Sequence, residues 1–255
     1  MPLAIQTNAW LDKLHRSDLP SIVEQIARAG YDALEIGAQR LNLDDPDGFL
    51  MLMNQHGLSV AGIHTGGEIY TPAEMHARQD FFESAARFAR AVNAPCVLLS
   101  GKPKEGGKTE ADLSAEVDSI QWVADICQAQ GLPLNFHTHN WELADDLREI
   151  RHLVAHTDPQ KVSLCLDIGW VQRAGYDPLK VVAEFYPRIR YLHLKDTVDD
   201  HWTEVGSGTV DFRALLDDLN RRGFSGQLTV ERDEELENAF ESAKTSRDYL
   251  RGLGI

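Results

Sequence analysis

The sequence predicts a single-domain (β/α)8 TIM barrel, and three observations carry that expectation. The chain has 255 residues, which accommodates one such barrel, typically about 250 residues, without a remainder. Eight short apolar or β-branched runs read as strands, and eight segments with apolar residues at three- and four-residue spacing read as helices. Strand and helix candidates alternate strictly, which calls for right-handed parallel crossovers.

In chain order, strand Leu3–Thr7 leads through Thr7-Asn8-Ala9-Trp10 to helix Leu19–Ala29. No G-x-G-x-x-G opens that helix, so a dinucleotide-binding sheet lacks its signature and closure into a barrel is preferred. Strand Ala33–Gly37 precedes helix Phe49–Gln55, strand Val60–His64 precedes helix Ala73–Val92, and strand Cys96–Ser100 precedes helix Leu113–Gln130. The second half repeats the unit: Leu134–His137 with Asp145–His156, Val162–Asp167 with Pro178–Phe185, Ile189–Lys195 with Phe212–Arg222, and Gln227–Glu231 with Asn238–Leu250. Gly30, Gly57, Gly131 and Gly223 stand at helix-to-strand joins, where a left-handed cap releases the chain into the next strand. Nothing marks a linker or a second domain, so residues 1–255 are expected to form one barrel.

Composition narrows the function. Lys and Arg total 25 against 40 Asp and Glu, a formal charge of -15, which disfavours nucleic acid and anionic membranes as partners. Cys96, Cys127 and Cys165 lie far apart, with no spacing that suggests a disulfide framework or metal knuckle. No export signal precedes the first strand, and no apolar run approaches the ~18 residues of a membrane span. A reducing cytoplasm is the expected compartment, and the oligomeric state is left open.

Catalytic groups in such barrels gather at the C-terminal ends of strands. Those positions here carry Glu35, His64, His137, Thr138, His139, Asn140, Trp141, Glu142, Asp167, His193, Lys195, Asp196 and Glu231. Imidazole and carboxylate converging on one mouth suit a hard divalent cation, and several such groups buried without one would be costly.

The segments Phe136-His137-Thr138-His139-Asn140-Trp141-Glu142, Leu166-Asp167-Ile168-Gly169-Trp170, Leu192-His193-Leu194-Lys195-Asp196, Gly206-Ser207-Gly208-Thr209-Val210-Asp211-Phe212 and Thr229-Val230-Glu231 resemble the xylose-isomerase-like sugar phosphate isomerase/epimerase superfamily. That superfamily includes ketose 3-epimerases, inosose dehydratases, 3-keto-glycoside-processing enzymes and apurinic endonucleases. The resemblance implies one divalent ion (Mn, Mg, Co, Fe or Zn) held by Glu142, Asp167, His193 and Glu231, with His137 as the substitute if Glu142 serves elsewhere. It speaks against the endonuclease branch, which carries an extra ligating histidine where this chain has Trp170.

A metal-dependent isomerase or epimerase acting on a keto sugar or related polyol through an enediolate is the leading expectation. A lyase of the inosose-dehydratase or 3-keto-glycoside type is the alternative, and a non-catalytic carbohydrate-binding barrel is the reading from another class. Glu231 and His139 are the expected acid/base pair, with Lys195 either donating to the developing alkoxide or pairing with a carboxylate. His64 and Glu35 are expected to bind hydroxyls, while Trp141 and Trp170 offer indole faces to the sugar. Trp10 and Trp202 are left unassigned. The loop Gly101-Lys102-Pro103-Lys104-Glu105-Gly106-Gly107-Lys108 reads either as a solvated loop or as a lid that recruits an anion.

Overall fold

The computed structural model describes residues 2–13 and 18–255, without the side chains of residues 11–13; Met1, at the start of the stretch searched for an export signal, lies outside them. Eight parallel strands close into a barrel in the order β1-β10-β7-β6-β5-β4-β3-β2. They are β1 (Leu3–Gln6), β2 (Ala33–Gly37), β3 (Ser59–Gly66), β4 (Val97–Ser100), β5 (Leu134–His137), β6 (Val162–Asp167), β7 (Ile189–Leu194) and β10 (Gln227–Val230). The helices are α1 (Leu19–Ala29), α2 (Pro46–Gln55), α3 (Pro72–His76), α4 (Gln79–Ala91), α5 (Glu110–Ala129), α6 (Ala144–His156), α7 (Ile168–Arg173), α8 (Pro178–Phe185), α9 (Phe212–Arg221) and α10 (Ala239–Gly252). Gly30, Gly57, Gly131 and Gly223 all adopt positive φ, between 67° and 90°, as their place at the helix ends requires.

Besides the short helix α7, which the pattern did not mark, three features depart from the sequence pattern. The segment expected as one helix over 73–92 is two, α3 and α4, parted near Arg78, whose Nη1 reaches back to donate to the Gly66 carbonyl at 2.7 Å. The start of α6 contains Asp145, Asp146 and Leu147 in the left-handed region, so regular helix begins only after them. A short antiparallel hairpin, β8 (Asp196–Val198) with β9 (His201–Thr203), follows β7 outside the barrel.

The pleat sorts the strand residues by parity. Leu34, Ile36, Ile63, Leu99, Leu134, Phe136, Leu164, Leu166, Leu192, Leu194, Leu228 and Val230 join the apolar layer that the helices cover. Residues of the opposite parity, among them Ala4, Ala33, Leu98, Cys165 and Tyr191, form a separate small cluster at the base of the barrel. Two residues further along the same faces come Glu35, Ser100, Asp167 and His193. His137 and Glu231, also of inward parity, complete this polar ring on β5 and β10. All three cysteines are free and buried, and no helix of the described residues is long and apolar enough to cross a membrane.

Asp196 anchors the loop that follows β8 and β9. Its Oδ2 accepts from the Gly206 and Gly208 amides at 2.9 Å, and its Oδ1 accepts from Thr197 and Val210 at 2.9 and 3.1 Å. A Cβ on Gly208 would stand 2.2 Å from Asp196 Oδ1, so only glycine lets the backbone come this close. Asp196→Ala, which strands buried amides, is expected to cost roughly 3 kcal/mol in urea unfolding and to open residues 196–210 to proteolysis. Unchanged stability and protease resistance would show that the loop is held by other contacts.

Candidate functional site

At the C-terminal mouth, His137, Asp167, His193 and Glu231 each offer a ligand atom within 4.8 Å of the others, and all four residues are buried. His137 Nε2 lies 3.4 Å from Asp167 Oδ2 and 3.7 Å from Glu231 Oε2; His193 Nδ1 lies 3.8 Å and 2.7 Å from the same two atoms. Ligand atoms about 2.1 Å from one shared centre stand roughly 3.0–3.5 Å apart, so these spacings suit a single divalent ion. Among the described residues none of the four atoms has a hydrogen-bond partner of good geometry, although Lys195 Nζ stands within ion-pair distance of Asp167 Oδ2 and Glu231 Oε2, at 2.7 and 2.8 Å. The donor set of two imidazoles and two carboxylates is of the kind that takes Mn²⁺, Fe²⁺, Co²⁺ or Zn²⁺.

Glu142, which the sequence resemblance placed first among the ligands, is outside this group, and His137 is inside it. The reason is the turn after β5. Glu142 Oε2 accepts from the His139 amide at 2.7 Å and Oε1 accepts from Trp141 Nε1 at 2.6 Å, so both oxygens serve that turn. His139 Nδ1 lies 3.5 Å from Glu142 Oε2, and the imidazole stacks on Trp141 with ring centres 4.1 Å apart.

Behind His193 in the same ring, Glu35 is fully buried and accepts three hydrogen bonds: from Tyr191 Oη at 2.7 Å, His193 Nε2 at 2.8 Å and His64 Nδ1 at 2.7 Å. Burial alone would raise its pKa, but His193 and His64 hold the carboxyl well below the usual range. With Nε2 committed to Glu35, His193 turns Nδ1 toward Asp167 and Glu231, as a ligating histidine fixed from behind would. Glu35 therefore sits behind the site rather than in contact with the cavity.

Lys195, also fully buried, adds Asp233 Oδ2 at 2.6 Å to its two carboxylate neighbours. Burial would lower its pKa, but Asp167, Asp233 and Glu231 hold it well above the ordinary lysine value. Of the two roles expected for this residue, ion pairing is the one its distances display. A Cβ on Gly169 would stand 2.8 Å from the Lys195 stem, which explains the glycine there.

A cavity of about 370 Å³ opens beside these groups, and its wall includes Asn8, Arg40, His64, Arg78, Ser100, Lys102, His137, His139, Glu231 and Asp233. Of the residues expected to bind substrate, His64 lines it, while Glu35, Trp141 and Trp170 do not. Trp170 packs edge-on against Trp202 with ring centres 4.6 Å apart, and its ring lies 5.4 Å from Lys195 Nζ. Trp10 is core, donating from Nε1 to Gln25. Sequence reasoning missed Asn8, whose Nδ2 donates to Glu231 Oε1 at 2.8 Å, and Asp233. Asn8 lies two residues beyond the end of β1 and Asp233 three beyond the end of β10, and that closeness to a strand's C-terminal end was the available signal.

A family description, "xylose isomerase-like TIM barrel", matches residues 23–253. The chain belongs to that family. An inosose dehydratase from Geobacillus thermodenitrificans is 29% identical over 263 residues, covering 90% of this chain and 87% of the relative. The probable 3-DHS dehydratase involved in petrobactin synthesis from Bacillus anthracis superposes with a TM-score of 0.83 at 17% identity, covering 98% of this chain and 99% of that one. The 3-keto-D-glucoside 4-epimerase from E. coli gives 0.81 at 17% identity, covering 99% of each chain. At that identity the two structures are likenesses of fold.

In this member of the xylose isomerase-like family, the loop after β4 carries three lysines, and two are fully engaged. Lys104 pairs with Asp112 at 2.7 Å, and Lys108, buried, pairs with Glu116 at 2.6 Å and Glu149 at 2.7 Å. Two carboxyls share one ammonium, so burial pushes Glu116 up to about 7 and Glu149 up to about 8. Groups whose folded pKa exceeds the unfolded value, about 4.3 for Glu, stabilise the fold below that value and lose the contribution as pH rises through 7 to 8. Glu149→Gln removes one of the two titrations. The fall in Tm between pH 6 and pH 9, read by differential scanning calorimetry, is expected to be shallower in Glu149→Gln than in the parent. Parallel slopes would mean that the pair does not titrate in this window.

Proposed function

We propose that this chain is an enzyme that uses one divalent metal ion to move a proton on a keto sugar or related polyol through an enediolate, as an isomerase or epimerase. The observation that carries the reading is the convergence of four buried ligand atoms on His137, Asp167, His193 and Glu231, which lie beside a cavity of sugar size. A divalent cation held there supplies positive charge for the oxygen on which the enediolate's negative charge builds.

The remaining steps fall to side chains. Glu231, steadied at Oε1 by Asn8, is the base that takes the proton from the carbon beside the carbonyl. His139, on the cavity wall with Nδ1 beside Glu142, presents Nε2 as the group that returns a proton. The Lys195 ammonium keeps Asp167 and Glu231 ionised and apart from one another's repulsion. His64, tied through Nδ1 to Glu35 and through Nε2 to Ser100 Oγ, positions the Ser100 hydroxyl on the cavity wall to meet a substrate hydroxyl. These groups fix the carbon acid beside its base, which lowers the entropic part of the barrier.

A second reading, a lyase, is favoured by the name of the inosose dehydratase among the relatives. The same proton removal followed by departure of a β-hydroxyl would make this chain a dehydratase. Following a 3-keto sugar or an inosose for α-proton exchange against loss of water separates the two.

Glu231→Gln keeps one ligating oxygen and loses basicity. At saturating Mn²⁺, its exchange of the substrate α-proton with deuterated solvent is expected to slow by ~10²–10⁴-fold, while Asp167→Asn recovers with excess metal. Wild-type exchange by Glu231→Gln would move the base elsewhere, with His139 next in line. Glu35→Gln, which no longer fixes His193 from behind, is expected to weaken Mn²⁺ binding by ~10–100-fold in calorimetric titration. An unchanged Kd would separate Glu35 from the ion.

A further inference from the structure

The cavity is electrically lopsided. On one side stand Glu231 and Asp233, already engaged by Asn8 and Lys195. On the other, the loops after β2, β3 and β4 contribute Arg40, Arg78 and Lys102. Lys102 has one loose ion-pair partner among the described residues, Glu68 at 3.3 Å. Neither arginine has a carboxylate within ion-pair distance among the described residues, in a chain with 40 acidic residues.

Both guanidiniums are nonetheless placed. Arg78 is tied through Nη1 to the Gly66 carbonyl and lies 4.8 Å from the Phe81 ring centre and 5.2 Å from that of Phe82, which leaves its other donors uncommitted. It has room to lie there because residue 67 is glycine: a Cβ would stand 3.0 Å from Arg78 Nη1 and 2.7 Å from Met75 Sδ. Arg40, half-buried between this cavity and a depression lined by Leu19, Phe49 and Phe88, has a buried Nε with no partner. A guanidinium held in place with free donors suits an oxyanion, which it can meet with two parallel hydrogen bonds. Of the three lysines in the loop read from sequence as either a solvated loop or an anion-recruiting lid, Lys104 and Lys108 are paired within the protein, and Lys102 is the one on the cavity wall.

We propose that the substrate is an acidic keto sugar or polyol, with its hydroxy-carbonyl end at the His137–Asp167–His193–Glu231 group and a carboxylate or phosphate at its other end, received by Arg40 and Arg78. This rests on the metal-dependent reading for the carbonyl end only; the oxyanion side stands on the two arginines. An acidic tail also sets direction, because the acidic side of the cavity repels it and the basic side attracts it.

The test is calorimetric titration of the Mn²⁺-loaded protein with three probes of matched chain length: D-fructose, D-fructose 6-phosphate and 5-keto-D-gluconate. At least one anionic probe is expected to bind tighter than D-fructose by about tenfold or more, and the probe that does so identifies the oxyanion. In the Arg40→Gln/Arg78→Gln double variant that preference should disappear, with Mn²⁺ stoichiometry unchanged, and Arg78→Gln alone should remove part of it. Equal affinity for the neutral and anionic probes, failure of both anions to bind at millimolar concentration, or a preference surviving in the double variant would each overturn the proposal. Absence of Mn²⁺ binding would instead count against the metal-dependent reading, and the same titrations on the metal-free protein would then decide the anion preference separately.

Discussion

The site depends on the two-residue period of the strand inside a closed wall. Once eight parallel strands close, every second side chain faces the barrel axis and has nowhere else to go. Tyr191, His193 and Lys195 share one face of β7 and its extension; Cys165 and Asp167 share one face of β6; Leu192, Leu194, Leu164 and Leu166 take the other. A one-residue slip would drive these charged groups among the helices and bring leucines to the axis. Register is consequently held by the apolar layer, and the polar ring inherits its geometry from packing it does not share.

Charge concentrated in this way must be neutralised locally, and the structure does so at two places. Lys195 stands among three carboxylates, and Glu35 receives three donors. A buried ion left without such partners costs several kcal/mol. The second also supplies rigidity, since His193 and His64 are both fixed through one carboxylate that itself rests on Tyr191.

Most of the barrel was legible in the sequence, because period-two and period-3.6 patterns are properties of regular elements. Strands β2 and β6 and helices α1 and α8 run between the residues that the pattern marks. The departures come where side chains override local preference. Arg78 reaches back to Gly66 and splits a continuous apolar pattern, and the left-handed residues Asp145, Asp146 and Leu147 delay a helix that composition would start sooner. Asp167, His193 and Glu231 were readable as members of one group because each ends a strand. The resemblance put Glu142 ahead of His137, the reverse of the grouping in the structure, because which of the two joins the group depends on how the turn through Trp141 closes. Asn8, Asp233, Arg40 and Arg78 sit in irregular segments, where spacing along the chain says little about proximity in space.

The cavity is shared unequally around the barrel. His137, Asp167, His193 and Glu231 come from β5, β6, β7 and the end of β10, whereas Arg40, Arg78 and Lys102 come from the loops that follow β2, β3 and β4. The two groups occupy separate stretches of chain and are supported by different helices. Changes in the loop segments that carry Arg40, Arg78 and Lys102 can therefore accumulate without disturbing the strand ends of the second half, so long as Glu35 and His64 are kept. In evolutionary terms, such a barrel can exchange the molecules it accepts while retaining an inherited reaction centre, and its first half is where descendants of a common ancestor are free to diverge.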